Sequence, residues 1–211
     1  MKIALIRHSI TQGNLERRYV GRTDEPLCAQ GRALALHCAS LVPQVEQVLS
    51  SPMLRAVQTA TLLYPSQTIE VMSGLEECDF GVWEGKTHAE LCQIPSYHEW
   101  VTAAGILPPP GGENPDCFLV RCRTSFENAL TRLKAQHAAS AAFVLHGGVI
   151  MAVMSQLVTP VRGFYDWQTK NCQGFLLESA ADGLVLLSDI GNVACANESS
   201  QSTKFFARSE T

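Results

Sequence analysis

Short runs of consecutive apolar residues alternate along the chain with longer stretches whose apolar positions recur every three or four residues. Lys2–Arg7 encloses Ile3-Ala4-Leu5-Ile6, a run that predicts a buried strand. Gln47–Ser50, 68–72 and 141–145 predict three more. Helical spacing is found at about 28–42, with Leu34, Cys38 and Leu41 on one face. It is clearest after Asn114-Pro115, where Leu119, Cys122, Phe126, Leu130 and Leu133 repeat. Ser51-Pro52 predicts another helix start, with Ser51 as N-cap and Pro52 in the first turn, and Pro65 ends that helix. A helix at 148–158 follows the fourth strand directly, and 175–178 with 184–188 predict a hairpin. Strands alternating with helices predict an α/β protein: a three-layer α/β/α sandwich with a mostly parallel central sheet.

Two stretches escape this pattern. Residues 9–26 lack periodicity and hold Gly13, Asn14, Gly21, Asp24 and Pro26, so they predict a long loop of the kind that carries function. Residues 74–116 are mostly irregular, with a short helix opening at Thr87, whose pairing with Glu90 fits a capping box. The expected organisation is one domain over 1–196, with a small cap segment at about 86–112, and a polar tail over 197–211.

Composition narrows the picture a little. The chain is 46% hydrophobic and 17% charged, as expected of a globular protein, and its net charge of −4 speaks against a nucleic-acid or acidic-membrane partner. Only four apolar residues separate Lys2 from Arg7, too few for a secretory signal, so a cytoplasmic protein is expected. The eight cysteines form no C-x-x-C pair and read as reduced thiols; a zinc site is not expected. A homodimer is compatible with all of this.

The candidate chemistry collects at strand ends. His8 closes the first apolar run and His146 the fourth, and in open α/β sheets ligands bind beyond the carboxyl ends of strands. Gly147 and Gly148 follow at a helix N-terminus, where backbone amides favour an anion. Arg7 precedes His8, and Arg55 lies in the first turn of the Ser51-Pro52 helix. Arginine forks meet the charge on phosphoryl oxygens, an imidazole can attack phosphorus, and a carboxylic acid can protonate the leaving oxygen. Each residue also has a plain structural use: a core histidine, a solvated arginine, a loop hydrogen-bonder at Thr11 or Asn14.

Taken together and in order, these segments resemble the histidine phosphatase superfamily, which includes cofactor-dependent phosphoglycerate mutases and many small phosphatases. Arg7-His8-Ser9-x-Thr11-x-x-Asn14 is similar to the family's opening block, and Gly21-Arg22-Thr23-Asp24-x-Pro26-Leu27 to the next. Ser51-Pro52-Met53-Leu54-Arg55-Ala56-x-Gln58-Thr59-Ala60 resembles the block of the second arginine. Leu75-Glu76-Glu77-x-x-Phe80-Gly81-x-Trp83-Glu84-Gly85 resembles the block of the acid, and Gly111-Gly112-Glu113 and His146-Gly147-Gly148 complete the series.

The resemblance implies a phosphoglycerate mutase-like fold and a metal-independent, cofactor-free reaction on a small phosphorylated metabolite. It implies that His8 is the phosphorylated nucleophile and Glu77 the proton donor. Arg7, Asn14, Arg55, His146 and Gly147 would then bind the phosphoryl group. Glu76, Asp79 and Glu84 are acidic neighbours, so only the register of the block selects Glu77. Ser9 stands where the family usually has glycine, which implies modest tuning. Mutases of the family carry longer insertions, whereas here about 25 residues separate Gly85 from Gly111, which favours hydrolysis. Within the superfamily the nearest resemblance is to bacterial α-ribazole phosphatases of the cobalamin pathway. A mutase, a sugar-phosphate phosphatase and a catalytically silent phosphate-binding module are the alternatives. Trp100, Ile106 and Leu107 either contact the leaving group or pack the cap.

Overall fold

The computed structural model describes residues 1–103, 105–180 and 183–191. The expected tail over 197–211 lies outside the described residues, as does Cys195. Seven strands among the described residues form one sheet: β1 (Lys2–Arg7), β2 (Gln47–Ser50), β3 (Ile69–Val71), β4 (Ser140–Leu145), β5 (Val158–Thr159), β6 (Gly174–Ala180) and β7 (Gly183–Ile190). Their order is β3-β2-β4-β1-β6-β7-β5. β1 runs parallel to β4, and β2 runs parallel to both β3 and β4. β6 is antiparallel to β1 and to β7, so the expected hairpin extends the central sheet.

Each strand near the middle is apolar on both faces, because helices cover both. Ile3 and Leu5 of β1, with Phe143 and Leu145 of β4, pack against α6 (Pro115–Ala135) and α7 (Gly147–Leu157). Ala4, Ile6, Ala142 and Val144 point the other way, onto α2 (Ala29–Cys38) and α3 (Leu54–Leu63). This double burial explains why these strands read as continuous apolar runs rather than alternating ones. Each fully buried leucine, isoleucine or phenylalanine contributes about 1.5–3 kcal/mol. The three-layer α/β/α sandwich with a mostly parallel sheet is thus present. No helix among the described residues is long and apolar enough to cross a membrane.

Several local expectations need correction. α3 begins at Leu54, with Met53 rather than Ser51 as N-cap. The Leu54 amide is capped from a distance by Asp24 Oδ1 at 2.7 Å, while Ser51 Oγ accepts from the Met53 amide at 3.4 Å. α2 is shorter than the predicted 28–42, and its buried face is Gly31, Ala35 and Cys38, while Leu41 is exposed. The long loop after His8 contains one helical turn, α1 (Gln12–Leu15), held by a capping box between Thr11 and Asn14.

Residues 74–116 hold more structure than their periodicity suggested. Besides α4 (His88–Leu91), with its Thr87–Glu90 capping box, they contain α5 (Pro95–Thr102) and a 3-10 turn at Gly81–Trp83. An aromatic cluster of Trp83, Tyr97 and Trp100, with Tyr19 and Phe80 against it, organises this region. Trp83 and Trp100 stand 4.9 Å apart edge to face, a geometry that the ring quadrupoles favour.

Candidate active site

β1, β2 and β4 run parallel, so their carboxyl ends share one edge of the sheet. Arg7 ends β1 beside Leu145 of β4, His8 follows, and the His8 amide donates to the Leu145 carbonyl at 2.8 Å. His146 follows β4, and Ser51 and α3 follow β2. Residues far apart in sequence therefore meet. The His8 and His146 rings lie 5.1 Å apart between centroids, both buried.

One hydrogen bond fixes the tautomer of His8. Its Nδ1 lies 2.6 Å from the Ser9 carbonyl oxygen, which can only accept. The ring proton therefore sits on Nδ1, and Nε2 carries the lone pair. Burial, reinforced by the positive charges of Arg55 and Arg7, holds the His8 pKa well below the ordinary histidine value. The imidazole is neutral at neutral pH, as an attack on phosphorus requires.

Around it stand buried nitrogens that the protein leaves without partners. Arg7 Nη1 donates to the Thr169 carbonyl at 2.7 Å, but its buried Nε has no partner. Arg55 Nη1 and Nη2 donate to the Thr23 and Gly21 carbonyls, both at 2.8 Å, and its Nε is likewise buried and unpartnered. His146 Nε2 lies 2.7 Å from Ser51 Oγ, and its Nδ1 is the third such atom. Burying polar groups without partners costs about 1–3 kcal/mol each, so their collection beside one histidine marks a site for an anion. Burial lowers the pKa of both arginines, with Glu77 opposing the shift; Arg55 adds to the lowering at Arg7. Both guanidiniums stay charged at this depth.

Glu77 is buried and lines a cleft of about 830 Å³ together with Arg7, His8, Asn14 and Gly147. Its Oε1 accepts from the Cys78 amide at 3.0 Å and its Oε2 from the Gly148 amide at 2.9 Å. The Gly148 amide therefore faces Glu77 rather than a bound anion. Among its acidic neighbours, Glu76 accepts from the Gly74 amide and Asp79 from the Gly81 amide. Glu84 is enclosed by the amides of residues 21–23 and 80, so of these four carboxylates Glu77 is the one that lines the cleft with His8; Glu113, paired with Arg121, and Asp116 line it as well.

Asn14 lines the cleft with its Oδ1 occupied by the Thr11 amide at 3.2 Å and Asn171 Nδ2 at 3.3 Å. Asn171 also donates to the His8 carbonyl at 2.9 Å. Neither Asn171 nor Thr169 was legible in the sequence, because they reach the site only through the antiparallel placement of β6 beside β1. Ser9 is fully buried; its amide donates to Thr59 Oγ1 and its hydroxyl to the Gly31 carbonyl at 2.7 Å. The hydroxyl that replaces the usual glycine hydrogen is thus spent on α2.

The cleft is lined by Phe80, Trp100, Phe118, Met151 and Phe164 as well as by the polar side chains of Arg17, Arg18, Glu113, Asp116 and Gln168. Trp100 both packs the aromatic cluster and faces the cleft, Ile106 lines it while largely exposed, and Leu107 does not line it. Among the described residues no group of three or more His, Cys, Asp or Glu side chains could hold a metal ion.

This combination of fold and site has close counterparts. The profile of the histidine phosphatase superfamily (branch 1) matches residues 3–189, and the chain belongs to that family. The adenosylcobalamin/alpha-ribazole phosphatase of Escherichia coli (strain K12) is 31% identical over 165 residues, covering 75% of this chain and 79% of the relative. The structure of the alpha-ribazole phosphatase from Shigella flexneri superposes with a TM-score of 0.77 at 27% identity, covering 89% of this chain and 95% of that one. A 2,3-bisphosphoglycerate-dependent phosphoglycerate mutase of Gloeobacter violaceus is 27% identical, covering 74% of both chains. The protein is a phosphatase of the histidine phosphatase family.

Proposed function

We propose that this chain hydrolyses α-ribazole 5′-phosphate in the cytoplasm, through a phosphohistidine on His8 and without a metal ion or cofactor. His8 Nε2 attacks phosphorus, and the bond to the ester oxygen breaks as Glu77 gives that oxygen its proton. Glu77, now a carboxylate, takes a proton from water, whose oxygen attacks the phosphohistidine to release inorganic phosphate and free His8. Arg7, Arg55 and His146 meet the charge on the phosphoryl oxygens, assisted by Asn14 and the Gly147 amide.

The observation that carries the reading is the neutral His8 ring, its proton tied to Ser9, beside three buried nitrogens without partners. The aromatic and aliphatic side chains in the cleft lining suit a heteroaromatic leaving group, and the Escherichia coli relative is an adenosylcobalamin/alpha-ribazole phosphatase.

The test is turnover of p-nitrophenyl phosphate in EDTA, followed by a screen of phosphorylated metabolites including α-ribazole 5′-phosphate and 3-phosphoglycerate. Turnover in EDTA, an acid-labile phosphoprotein that His8→Ala abolishes, and preference for α-ribazole 5′-phosphate are expected. Dependence on an added metal, or trapping that survives His8→Ala, sinks the mechanism. Preference for 3-phosphoglycerate, with phosphoryl return to its other hydroxyl, makes the protein a mutase.

A further inference from the structure

Arg55 is held by carbonyls, and those carbonyls are themselves held. Its guanidinium donates to the Gly21 and Thr23 carbonyls at 2.8 Å and to the Val20 carbonyl at 3.4 Å. The amide side of the same segment converges on a single carboxylate. Glu84 accepts from the amides of Gly21 at 3.1 Å, Arg22 at 2.9 Å and Thr23 at 3.2 Å, and from Thr23 Oγ1 at 2.6 Å. A fifth donor, the Phe80 amide at 3.0 Å, ties the carboxylate to the acid-bearing block. Residues 20–23 thus lie between Glu84 on their N–H side and Arg55 on their C=O side.

We propose that Glu84 is a positioning residue for phosphoryl transfer: it orders the carbonyls of Val20, Gly21 and Thr23, which in turn aim the unpartnered Arg55 Nε at the phosphoryl group. The role rests on the phosphatase reading above. Burial works to raise the Glu84 pKa, but its bonds from Thr23, Phe80, Arg22 and Gly21 win and hold it below the ordinary carboxylate value. The group is therefore an anion at neutral pH, the form best suited to gather five N–H and O–H donors. Gly21 fits the same arrangement. A Cβ there would collide with the Cys78 carbonyl, so the segment lies directly against the backbone that leads away from Glu77.

The electrostatic sign separates this role from a simple charge effect. A carboxylate near an anion site repels the anion, so losing its charge alone tightens oxyanion binding. Losing its positioning of Arg55 weakens binding instead.

The test is a double-mutant cycle read by calorimetry with orthovanadate, on wild type, Glu84→Gln, Arg55→Ala and the double variant, each checked for a native circular dichroism spectrum. Glu84→Gln should weaken vanadate about 10- to 100-fold when Arg55 is present, the scale of a misplaced catalytic group. In the Arg55→Ala background it should have almost no effect. Equal losses in both backgrounds, or binding that is unchanged or tighter, overturn the proposal. Should Glu84→Gln not fold, Thr23→Val removes a single bond to the carboxylate and should show the same dependence on Arg55 at roughly two- to ten-fold. Turnover of p-nitrophenyl phosphate reads the phosphatase assignment separately. A wild type that binds vanadate with the Glu84–Arg55 coupling but turns over no ester supports the placement of Glu84 and refutes the enzymatic reading. A wild type that binds no vanadate overturns both.

Discussion

A carboxyl group can protonate a leaving oxygen only if it is held still and faces that oxygen. Glu77 is held by the Cys78 and Gly148 amides while lining the cleft with His8. Glu77→Gln keeps the shape and removes the proton. It should lower kcat/KM for an alkyl phosphate by about 10²- to 10⁴-fold. The loss on p-nitrophenyl phosphate should be far smaller, because p-nitrophenolate leaves without a proton. Equal losses on the two esters contradict the role of acid. The side chains that the fold brings together at the candidate site were legible because each sits in a short block whose neighbours have local duties. Thr59 Oγ1, for instance, donates to the Arg55 carbonyl and accepts from the Ser9 amide. Gln58 Oε1 accepts from the Leu27 amide at 2.9 Å. Ser51 is not the N-cap, although its Oγ accepts from the Met53 amide at 3.4 Å; its shorter bond, at 2.7 Å, is with His146, 95 residues away, and leaves no trace in local sequence.

Among the elements, α7 bears most directly on the site. Its first two residues are glycines, and they differ in what a side chain would meet. A Cβ on Gly148 would collide with Glu77 Oε1, whereas one on Gly147 would make ordinary contact with Arg7. Gly148→Ala should therefore displace the acid and lower kcat for alkyl phosphates at least tenfold, while leaving the melting temperature within a few degrees. Gly147→Ala keeps its amide and should retain most activity. Similar losses in both variants would mean that the helix start tolerates no side chain and that the Glu77 contact is incidental. α6 was plain in the sequence because its buried stripe repeats over 21 residues, and β1 because burial on both faces makes it a continuous apolar run. α5 was not, because eight residues with two buried aromatics, Tyr97 and Trp100, offer too short a stripe to repeat. The pairing of β6 with β1 was equally hidden, since strand periodicity does not name its partner.

The molecule as a whole buries two histidines at the carboxyl edge of its sheet, and that arrangement couples folding to pH. Burial is the main reason that the pKa values of His8 and His146 lie well below the ordinary 6.5, with nearby positive groups adding to it. In the unfolded chain both titrate near 6.5. As the pH falls through that value the unfolded chain takes up protons that the folded chain refuses, so folding loses stability. The loss stops only when the pH reaches the lowered values of the folded state. Each histidine contributes a slope of up to about 1.4 kcal/mol per pH unit within this window. Glu84, which burial opposes but its hydrogen bonds hold low, acts in the same direction, yet only as the pH falls through 4.5, the ordinary carboxylate value. The interval between 4.5 and 6.5 therefore isolates the histidines. Urea unfolding should be measured at about pH 7, 6 and 5, in buffers free of phosphate because an anion bound to the folded state adds its own stabilisation. Stability should decline steadily toward pH 5 in the wild type, and the decline should be much shallower in a His8→Asn, His146→Asn double variant. A wild type more stable at pH 5 than at pH 7 would mean that the imidazoles charge within the fold. His8 would then be an imidazolium with no lone pair to attack phosphorus at mildly acidic pH.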